Sequence, residues 1–306
     1  MISENNVIRD TVEKITKNYR ENEILLSKKG KTLPSRDVII EILEEIKNVV
    51  FPGYYNDEKI SEQMMEYFAG SKLAKVYMLL KNEIELAISY TDDENSPEEI
   101  SMNAECITAG FFQKLPGVQS LLIKDVQAGF DGDPAAKSKE EIIFSYPGLF
   151  AIYVYRIAHI LYTKNVPFIP RIMTEYAHSQ TGIDINSGAT IGEYFFIDHG
   201  TGVVIGETCH IGNNVKIYQG VTLGALSTRS GQALAGVKRH PTICDNVTIY
   251  SGATILGGET VIGEHSVVGG NSFITQSIPP HTKVSIKSPE LIIKNPGDVS
   301  KTKFEI

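Results

Sequence analysis

The sequence predicts an α + β protein in which an N-terminal all-α domain is followed by a parallel β-helix. Residues 181–281 hold 17 of the 26 glycines but only 4 of the 29 lysines and arginines. In the same region a branched aliphatic residue returns at every sixth position, which is the period of a β-helix built from three short strands per coil. We place the helical domain at residues 1–180, the β-helix at 181–285 and a tail at 286–306.

Helical periodicity and start signals indicate helices through the first half of the chain. Ser35 is a candidate N-cap, and Ser96 precedes a proline and two glutamates, an arrangement favoured at helix starts. We expect Pro116 to end the helix that Ser96 begins, because proline lacks a backbone N–H donor. Residues 1–130 carry no catalytic pattern, so we interpret them as a helical packing or oligomerisation domain.

The six-residue repeat has twelve positions in phase. Six of them are followed by glycine, which suits the tight turns between strands. Ordinary amphipathic strands alternate every second residue and do not explain this period. The twelve positions are Ile185, Ile191, Ile197, Ile205, Ile211, Ile217, Leu223, Ile243, Ile249, Ile255, Ile262 and Val268.

Three interruptions of the repeat are candidates for function, because a β-helix accommodates extra residues where they leave its surface. Extra residues enter at 198–202, at 257–258 and in a longer protruding loop at 225–240. Two of the seven histidines, His199 and His240, belong to these interruptions. The interruptions therefore single out these two histidines.

His199 is the candidate general base. Asp184 precedes it by fifteen residues. A coil of three hexapeptides takes about eighteen residues, so the two residues lie on adjacent coils. A carboxylate in that position orients the imidazole and leaves its other nitrogen free to accept a proton.

Zinc binding is an alternative use of histidines in a β-helix, with His199, His210 and His240 as the possible ligands. The sequence has three separated cysteines and no Cys-x-x-Cys pair, and it does not itself bring the three histidines together. We therefore expect no metal. Cys209 falls on an inward-facing repeat position, which indicates a core residue rather than a nucleophile.

Composition disfavours several other classes of protein. A net charge of −8 argues against nucleic-acid binding, which requires a clustered basic surface. Few and scattered cysteines fit a reducing compartment, so we expect a cytoplasmic location. The apolar segment Ile142–Tyr162 contains Pro147 and Arg156, which predicts a buried helix rather than a membrane span, and the N-terminus has no apolar run typical of a signal peptide.

Several segments resemble the serine acetyltransferases, which transfer the acetyl group of acetyl-CoA to the hydroxyl of L-serine. The resemblance covers roughly residues 95–285. The Asp-His-Gly-Thr-Gly segment and the upstream Asp-Pro-Ala-Ala are its most specific parts. The segments are Thr181-Gly182-Ile183-Asp184-Ile185, Ile197-Asp198-His199-Gly200-Thr201-Gly202, Val221-Thr222-Leu223-Gly224, Arg239-His240-Pro241, Asp133-Pro134-Ala135-Ala136 and Tyr155-Arg156-Ile157-Ala158-His159.

The resemblance implies a role for each matching residue. His199 is the general base and Asp184 its orienting carboxylate. The serine ammonium is bound by Asp133 and Asp198, and the serine carboxylate by Arg239 and His240. Acetyl-CoA is a co-substrate and no cofactor is tightly bound. The remaining assignments are Ala225, Ser251 and Gly270 along the acetyl-CoA groove and Glu207 as a supporting residue.

The resemblance also implies an assembly. Relatives have a left-handed β-helix and form homotrimers, with active sites between neighbouring β-helices, or dimers of trimers joined by the helical domains. A C-terminal isoleucine of the family docks into O-acetylserine sulfhydrylase, and this chain ends in Ile306. We therefore expect a sulfhydrylase as a partner, and neither nucleic acid nor membrane.

Three other functions remain open at this point. The first is acetylation of a sugar or another small hydroxyl compound, which Asp133, Asp198 and Arg239 disfavour because they suit an amino acid better. The second is a metal lyase of the carbonic anhydrase type built on the same β-helix. The third is a catalytically silent scaffold, which the pairing of Asp184 with His199 disfavours.

Overall fold

The computed structural model describes residues 4–28, 30–55, 61–227, 229 and 231–287. Within this part of the chain, seven α-helices precede fourteen short β-strands. The last helix ends at Thr181 and the first strand begins at Asp184. A helical N-terminal part followed by a parallel β-helix is thus confirmed. The helices are α1 (Glu4–Glu21), α2 (Arg36–Val50), α3 (Met65–Thr91), α4 (Pro97–Gly132), α5 (Lys139–Ser145), α6 (Pro147–Tyr162) and α7 (Ile169–Thr181).

The strands form three parallel sheets that wrap around one axis. The first sheet has the order β1-β4-β7-β10-β13, the second β11-β8-β5-β2 and the third β14-β12-β9-β6-β3. The strands are β1 (Asp184–Ile185), β2 (Thr190–Ile191), β3 (Phe196–Asp198), β4 (Val204–Ile205), β5 (His210–Ile211), β6 (Lys216–Tyr218), β7 (Thr222–Gly224), β8 (Thr242–Ile243), β9 (Thr248–Ile249), β10 (Thr254–Leu256), β11 (Val261–Ile262), β12 (Val267–Val268), β13 (Phe273–Ile274) and β14 (Lys283–Val284).

The repeat positions pair with one another across coils, as the period predicts. In the first sheet Ile185 pairs with Ile205, Ile205 with Leu223, and Ile255 with both Leu223 and Ile274. All five side chains are at most 6% exposed, so they form a continuous apolar column along the axis. Burying one such side chain contributes about 1.5–3 kcal/mol, and the column holds the coils in register.

Cys209 belongs to this core, as predicted. Its side chain is buried and its Sγ lies 3.5 Å from the carbonyl oxygen of Leu223. Burial raises the pKa of the Cys209 thiol to about 12. A thiol that stays protonated and enclosed is a packing group rather than a nucleophile.

The start signals of the helices are confirmed, but the expected break at Pro116 is wrong. The Ser35 hydroxyl accepts from the Val38 N–H, and Ser96 forms a capping box with Glu99. Helix α4 continues through Pro116 to Gly132. A proline removes one backbone hydrogen bond, and the buried apolar face of α4 on both sides of Pro116 offsets that loss.

Helix α6 joins the two parts of the protein. Most of its side chains are buried, which confirms the prediction of a buried helix, and none of the described helices is long and apolar enough to cross a bilayer. Tyr155 donates to the Ala189 carbonyl at 2.7 Å, and Nδ1 of His159 lies 2.7 Å from the Ser187 carbonyl oxygen. These bonds fasten the first coil of the β-helix to α6.

Candidate active site

The predicted site residues lie at two edges of the β-helix. One edge, the His199 corner, comprises residues 199–202 and connects the third sheet to the first, between β3 and β4. The other edge, the loop corner, comprises Glu207, Thr208, Arg239 and His240 and lies between the first and second sheets. Each corner contains charged groups suited to a different end of a zwitterion.

The His199 corner protrudes because the chain is two residues longer there than in the coil above. His199 has φ 58° and Gly200 has φ 83°, so two successive residues adopt the left-handed conformation. A β-carbon on Gly200 would overlap the side chain of Ile183, and the N–H of Gly202 donates to the Gly182 carbonyl at 2.8 Å. The turn is therefore packed onto the start of β1, and its imidazole points outward with 70% of the side chain exposed.

The carboxylate beside the imidazole is that of Asp198. Its Oδ1 lies 3.6 Å from Nδ1 of His199, and the Asp198 side chain is 11% exposed. Asp184 stands at the start of β1, half-buried, and pairs through its backbone with Val204. Among the described residues Asp184 makes no hydrogen bond to His199, so its predicted role as the orienting carboxylate stays a prediction.

Asp133 reaches the same corner from the helical domain. It caps the C-terminus of α4, and its carboxylate accepts from the Tyr146 hydroxyl at 2.6 Å and from the Ala135 N–H at 2.8 Å. These bonds, the Tyr146 bond foremost, hold the pKa of Asp133 below its ordinary value, and the charge of Lys216, with that of His199 when its ring is protonated, acts in the same direction. The structure thus places both predicted ammonium ligands, Asp133 and Asp198, near His199.

Lys216 is a cation of this corner. Its Nζ donates to the carbonyl oxygen of Gly132 and lies 3.9 Å from Oδ2 of Asp198. The same ammonium stands 4.7 Å from the ring centre of Tyr218 and 5.1 Å from that of Phe196. A cation enclosed in this way contributes to the charge balance of the corner.

At the loop corner Glu207 forms an ion pair with Arg239. Glu207 also accepts from the Tyr162 hydroxyl at 2.9 Å, which connects it to α6. Burial tends to raise the pKa of Glu207, but the bonds from Arg239 and Tyr162 outweigh it, and the net shift is downward. Arg239 further donates to the Leu234 carbonyl at 3.1 Å, so its guanidinium is held within the protruding loop.

His240 is buried and neutral. Its Nδ1 accepts from the Thr208 N–H at 3.0 Å and lies 2.8 Å from the Thr208 hydroxyl, which itself accepts from the N–H of Arg239. Burial, followed by the charges of Arg239 and Lys238, lowers the pKa of His240 to about 4. Because Nδ1 accepts, the ring proton is on Nε2. A β-carbon on Gly206 would overlap this ring, so glycine is required there.

The predicted acetyl-CoA residues divide between the two edges in the same way. Ser251 and Gly270 lie on successive coils above the His199 corner, and the carbonyl of Ser251 accepts from the Asn271 N–H at 2.9 Å. Ala225 follows β7 at the loop corner. The structure brings Ser251 and Gly270 together and places Ala225 on the other edge.

The three histidines considered as zinc ligands are separated. His199 and His240 occupy different corners, and His210 is an exposed residue of β5 in the second sheet. The described residues contain no cluster of three or more histidine, cysteine, aspartate or glutamate side chains arranged to hold a metal ion. Ile306, the predicted docking residue, lies outside the described residues.

Sequence reasoning missed Tyr146, Lys216, Thr208 and Tyr162. The sequence did contain a signal for Lys216, because it is one of only four lysines and arginines between 181 and 281. Thr208 lies 32 residues before His240, and Tyr146 lies 13 residues after Asp133, beyond helix α5. Such contacts depend on the packing of distant segments, which a single sequence does not reveal.

A parallel β-helix that carries an exposed histidine at a break in its six-residue repeat is typical of the hexapeptide-repeat acyltransferases. No family model matches the chain. A plasmid serine acetyltransferase of Synechococcus elongatus is 46% identical over 235 residues, which cover 74% of each chain. The chain belongs to the serine acetyltransferase family.

Two further comparisons agree with this assignment. The serine acetyltransferase of Bacillus subtilis is 52% identical over 129 residues, which cover 42% of this chain and 57% of that protein. The crystal structure of serine acetyltransferase isoform 3 from Entamoeba histolytica, in complex with cysteine, superposes with a TM-score of 0.71 at 33% identity. That alignment covers 94% of this chain and 95% of the other, so it includes both parts of the fold.

Proposed function

We propose that the chain is a serine O-acetyltransferase, which transfers the acetyl group of acetyl-CoA to L-serine, and that His199 is its general base. The observation that carries the proposal is the His199 corner. There an exposed imidazole stands next to two carboxylates, Asp198 and Asp133, which suit the ammonium of an amino acid. A neutral acceptor such as a sugar has no charge for them to bind.

The reaction requires one proton acceptor and no covalent enzyme intermediate. His199 takes the proton of the serine hydroxyl while the serine oxygen attacks the thioester carbonyl carbon. The resulting tetrahedral oxyanion collapses, the new C–O bond remains and the C–S bond breaks. His199 then returns its proton to the thiolate of CoA. O-acetyl-L-serine and free CoA are the products.

We assign Asp184 as the residue that orients His199. Gly200 packs on Ile183 and Gly202 bonds to Gly182, so the turn that carries His199 rests on the segment that contains Asp184. Asp198 is the competing candidate because of its 3.6 Å approach to Nδ1. Comparison of Asp184→Asn with Asp198→Asn separates the roles. Loss of the orienting group lowers kcat, and loss of an ammonium ligand raises the KM for serine.

The serine carboxylate is assigned to the loop corner. Arg239 is a fork-shaped cation suited to a carboxylate, and His240 is a neutral ring with a protonated Nε2. The loop corner and the His199 corner lie on different edges of the same β-helix. A molecule the size of serine contacts both only if a second copy supplies one of them, so we propose a homotrimer or a dimer of trimers with the active site between copies.

Acetyl-CoA is proposed to bind along the same interface, as a co-substrate that is released after each turnover. Ser251 and Gly270 lie above the His199 corner, and Ala225 lies above the loop corner. The groove between two copies is therefore lined from both sides. We retain a cytoplasmic location and docking of a sulfhydrylase by Ile306 as proposals. Deletion of Ile306 followed by calorimetry with the sulfhydrylase tests the docking.

Release of CoA thiol with acetyl-CoA and a panel of hydroxyl acceptors tests the function. We expect turnover with L-serine and a loss of about 10²–10⁴-fold in kcat for His199→Ala, the usual contribution of a general base. The matched control is His210→Ala, at an exposed position of β5, which retains full activity. Turnover that does not depend on serine, or full activity of His199→Ala, contradicts the proposal.

A further inference from the structure

Lys216 connects the two segments that carry the candidate ammonium ligands. It belongs to β6, where its backbone pairs with Phe196 of β3 on the coil below. Its side chain crosses the Phe196 ring and reaches the end of α4, where Nζ donates to the Gly132 carbonyl. The same Nζ lies 3.9 Å from the Asp198 carboxylate. The Lys216 ammonium thus contacts Gly132, the residue before Asp133, and Asp198, the residue before His199.

The contact with Gly132 suits the end of a helix. The last carbonyls of an α-helix have no partner within the helix and carry partial negative charge, so a cation there is stabilising. Helix α4 approaches β3 closely at this point, since a β-carbon on Gly132 would lie 2.7 Å from Cδ1 of Phe196. Lys216 therefore holds the end of α4, with Asp133 as its cap, against the first two coils.

The two carboxylates of the His199 corner also need a nearby cation to offset part of their negative charge. Asp133 and Asp198 are two carboxylates whose charges both act on the Tyr146 hydroxyl and raise its pKa, and two like charges placed together oppose each other's ionisation. The Lys216 side chain is only 21% exposed, so solvent screens its charge weakly. With Lys216 the group keeps one net negative charge, which matches the single positive charge of the serine ammonium.

We propose that Lys216 is a positioning residue of the serine site, which fixes Asp133 relative to Asp198 and leaves one net negative charge for the substrate ammonium. This inference rests on the proposed function. It differs from the opposite possibility, in which the lysine ammonium occupies the place of the substrate ammonium. Removal of a positioning residue raises the KM for serine, whereas removal of a competitor lowers it.

The test compares Lys216→Met with Lys216→Arg in the full chain. Methionine keeps the length of the side chain without its charge, and arginine keeps the charge. We expect Lys216→Met to raise the KM for L-serine about tenfold, the equivalent of one charge-assisted contact. We expect kcat and the KM for acetyl-CoA to change by less than about twofold, and Lys216→Arg to recover most of the serine affinity.

Lys124→Met is the matched control. Lys124 also connects α4 to the first coil, through an ion pair with Glu193 at the other edge of the third sheet, away from His199. If Lys216 only strengthened the packing of α4 on the β-helix, both variants would behave alike. We expect Lys124→Met to leave the KM for serine unchanged. A serine KM that is unchanged or lower in Lys216→Met overturns the inference.

Hydrogen exchange separates this inference from the proposed function. Loss of the Lys216 bond to Gly132 speeds amide exchange in the last turn of α4, and Lys124→Met does not. If the native chain shows no serine-dependent turnover, the proposed function fails, whereas unchanged exchange in Lys216→Met overturns the role of Lys216 by itself. Faster exchange together with a raised serine KM supports both.

Discussion

Arg156 of α6 donates two hydrogen bonds to Asp125 of α4, from Nε at 2.6 Å and from Nη2 at 2.8 Å, and both side chains are almost fully buried. The pair extends into the β-helix. Asp125 accepts from the Phe195 N–H at 3.0 Å, and Arg156 donates to the Gly192 carbonyl at 2.9 Å. One ion pair thus connects two helices to the first coil.

Arg156→Met is expected to destabilise the protein by about 3–5 kcal/mol, because it leaves the Asp125 carboxylate buried without an opposite charge. Chemical denaturation of the native chain and the variant measures this difference. Because Asp133 caps the end of α4, the same variant is also expected to raise the KM for serine.

The control for Arg156→Met is the same substitution at Arg171. Arg171 forms an exposed ion pair with Glu175 on α7 at 2.5 Å. Exposed pairs of this kind contribute about 0–1 kcal/mol, so Arg171→Met should have little effect. If the two variants lower the free energy of unfolding equally, the Asp125–Arg156 pair does not hold the two helices to the first coil.

The parts of the fold that depend on local sequence were predictable. The six-residue period is a property of successive residues, and the pairing of Ile185 with Ile205 and of Ile205 with Leu223 follows directly from it. The extra residues around His199 were visible for the same reason. They break a period that is otherwise regular, and the structure places them in an exposed turn.

The parts that depend on packing between distant segments were not predictable. The Asp125–Arg156 pair and the reach of Lys216 to Gly132 join residues that are 31 and 84 positions apart. Pro116 shows the converse, because a strong local signal for a helix end was overridden by the packing of α4. A motif singled out Asp133 as a candidate ligand, but only the structure revealed its hydrogen bond from Tyr146.

Tyr146→Phe is expected to weaken serine binding, most strongly at acid pH. The Tyr146 hydroxyl is the main cause of the lowered pKa of Asp133. A lowered pKa keeps the carboxylate ionised to lower pH, and serine affinity is lost as the pH falls through that value. Without the hydroxyl the loss begins at higher pH. The ordinary pKa of an aspartate is 3.8, so the extra loss falls near and below pH 4. We expect the Kd for serine, measured by calorimetry, to rise by about twofold more at pH 4 than at pH 7.5.

Tyr77→Phe is the control for Tyr146→Phe. The Tyr77 hydroxyl likewise donates to a carboxylate, that of Glu105 at 2.7 Å, but both residues lie in the helical domain away from the site. Its profile of serine Kd against pH should follow that of the native chain from about pH 4 to pH 8. Superposable profiles for the native chain and Tyr146→Phe would show that this hydrogen bond does not tune Asp133.

His240 is expected to make the protein less stable in acid. Its pKa is lowered from the ordinary 6.5 to about 4, chiefly by burial. Between these values the unfolded chain binds a proton at this residue and the folded protein does not, so the free energy of unfolding falls as the pH falls from 6.5 to 4. Above pH 6.5 both states are neutral and the residue contributes no pH dependence.

His240→Asn removes this titration, and its amide oxygen remains able to accept from the Thr208 N–H. Denaturant unfolding at a series of pH values should therefore show a shallower loss of stability below pH 6.5 in His240→Asn than in the native chain. His210→Asn, at an exposed strand position, should give a curve parallel to the native one. Parallel curves for the native chain and His240→Asn would mean that His240 takes up its proton equally in the folded and unfolded states. The proposal that a neutral His240 ring binds the serine carboxylate would then be wrong.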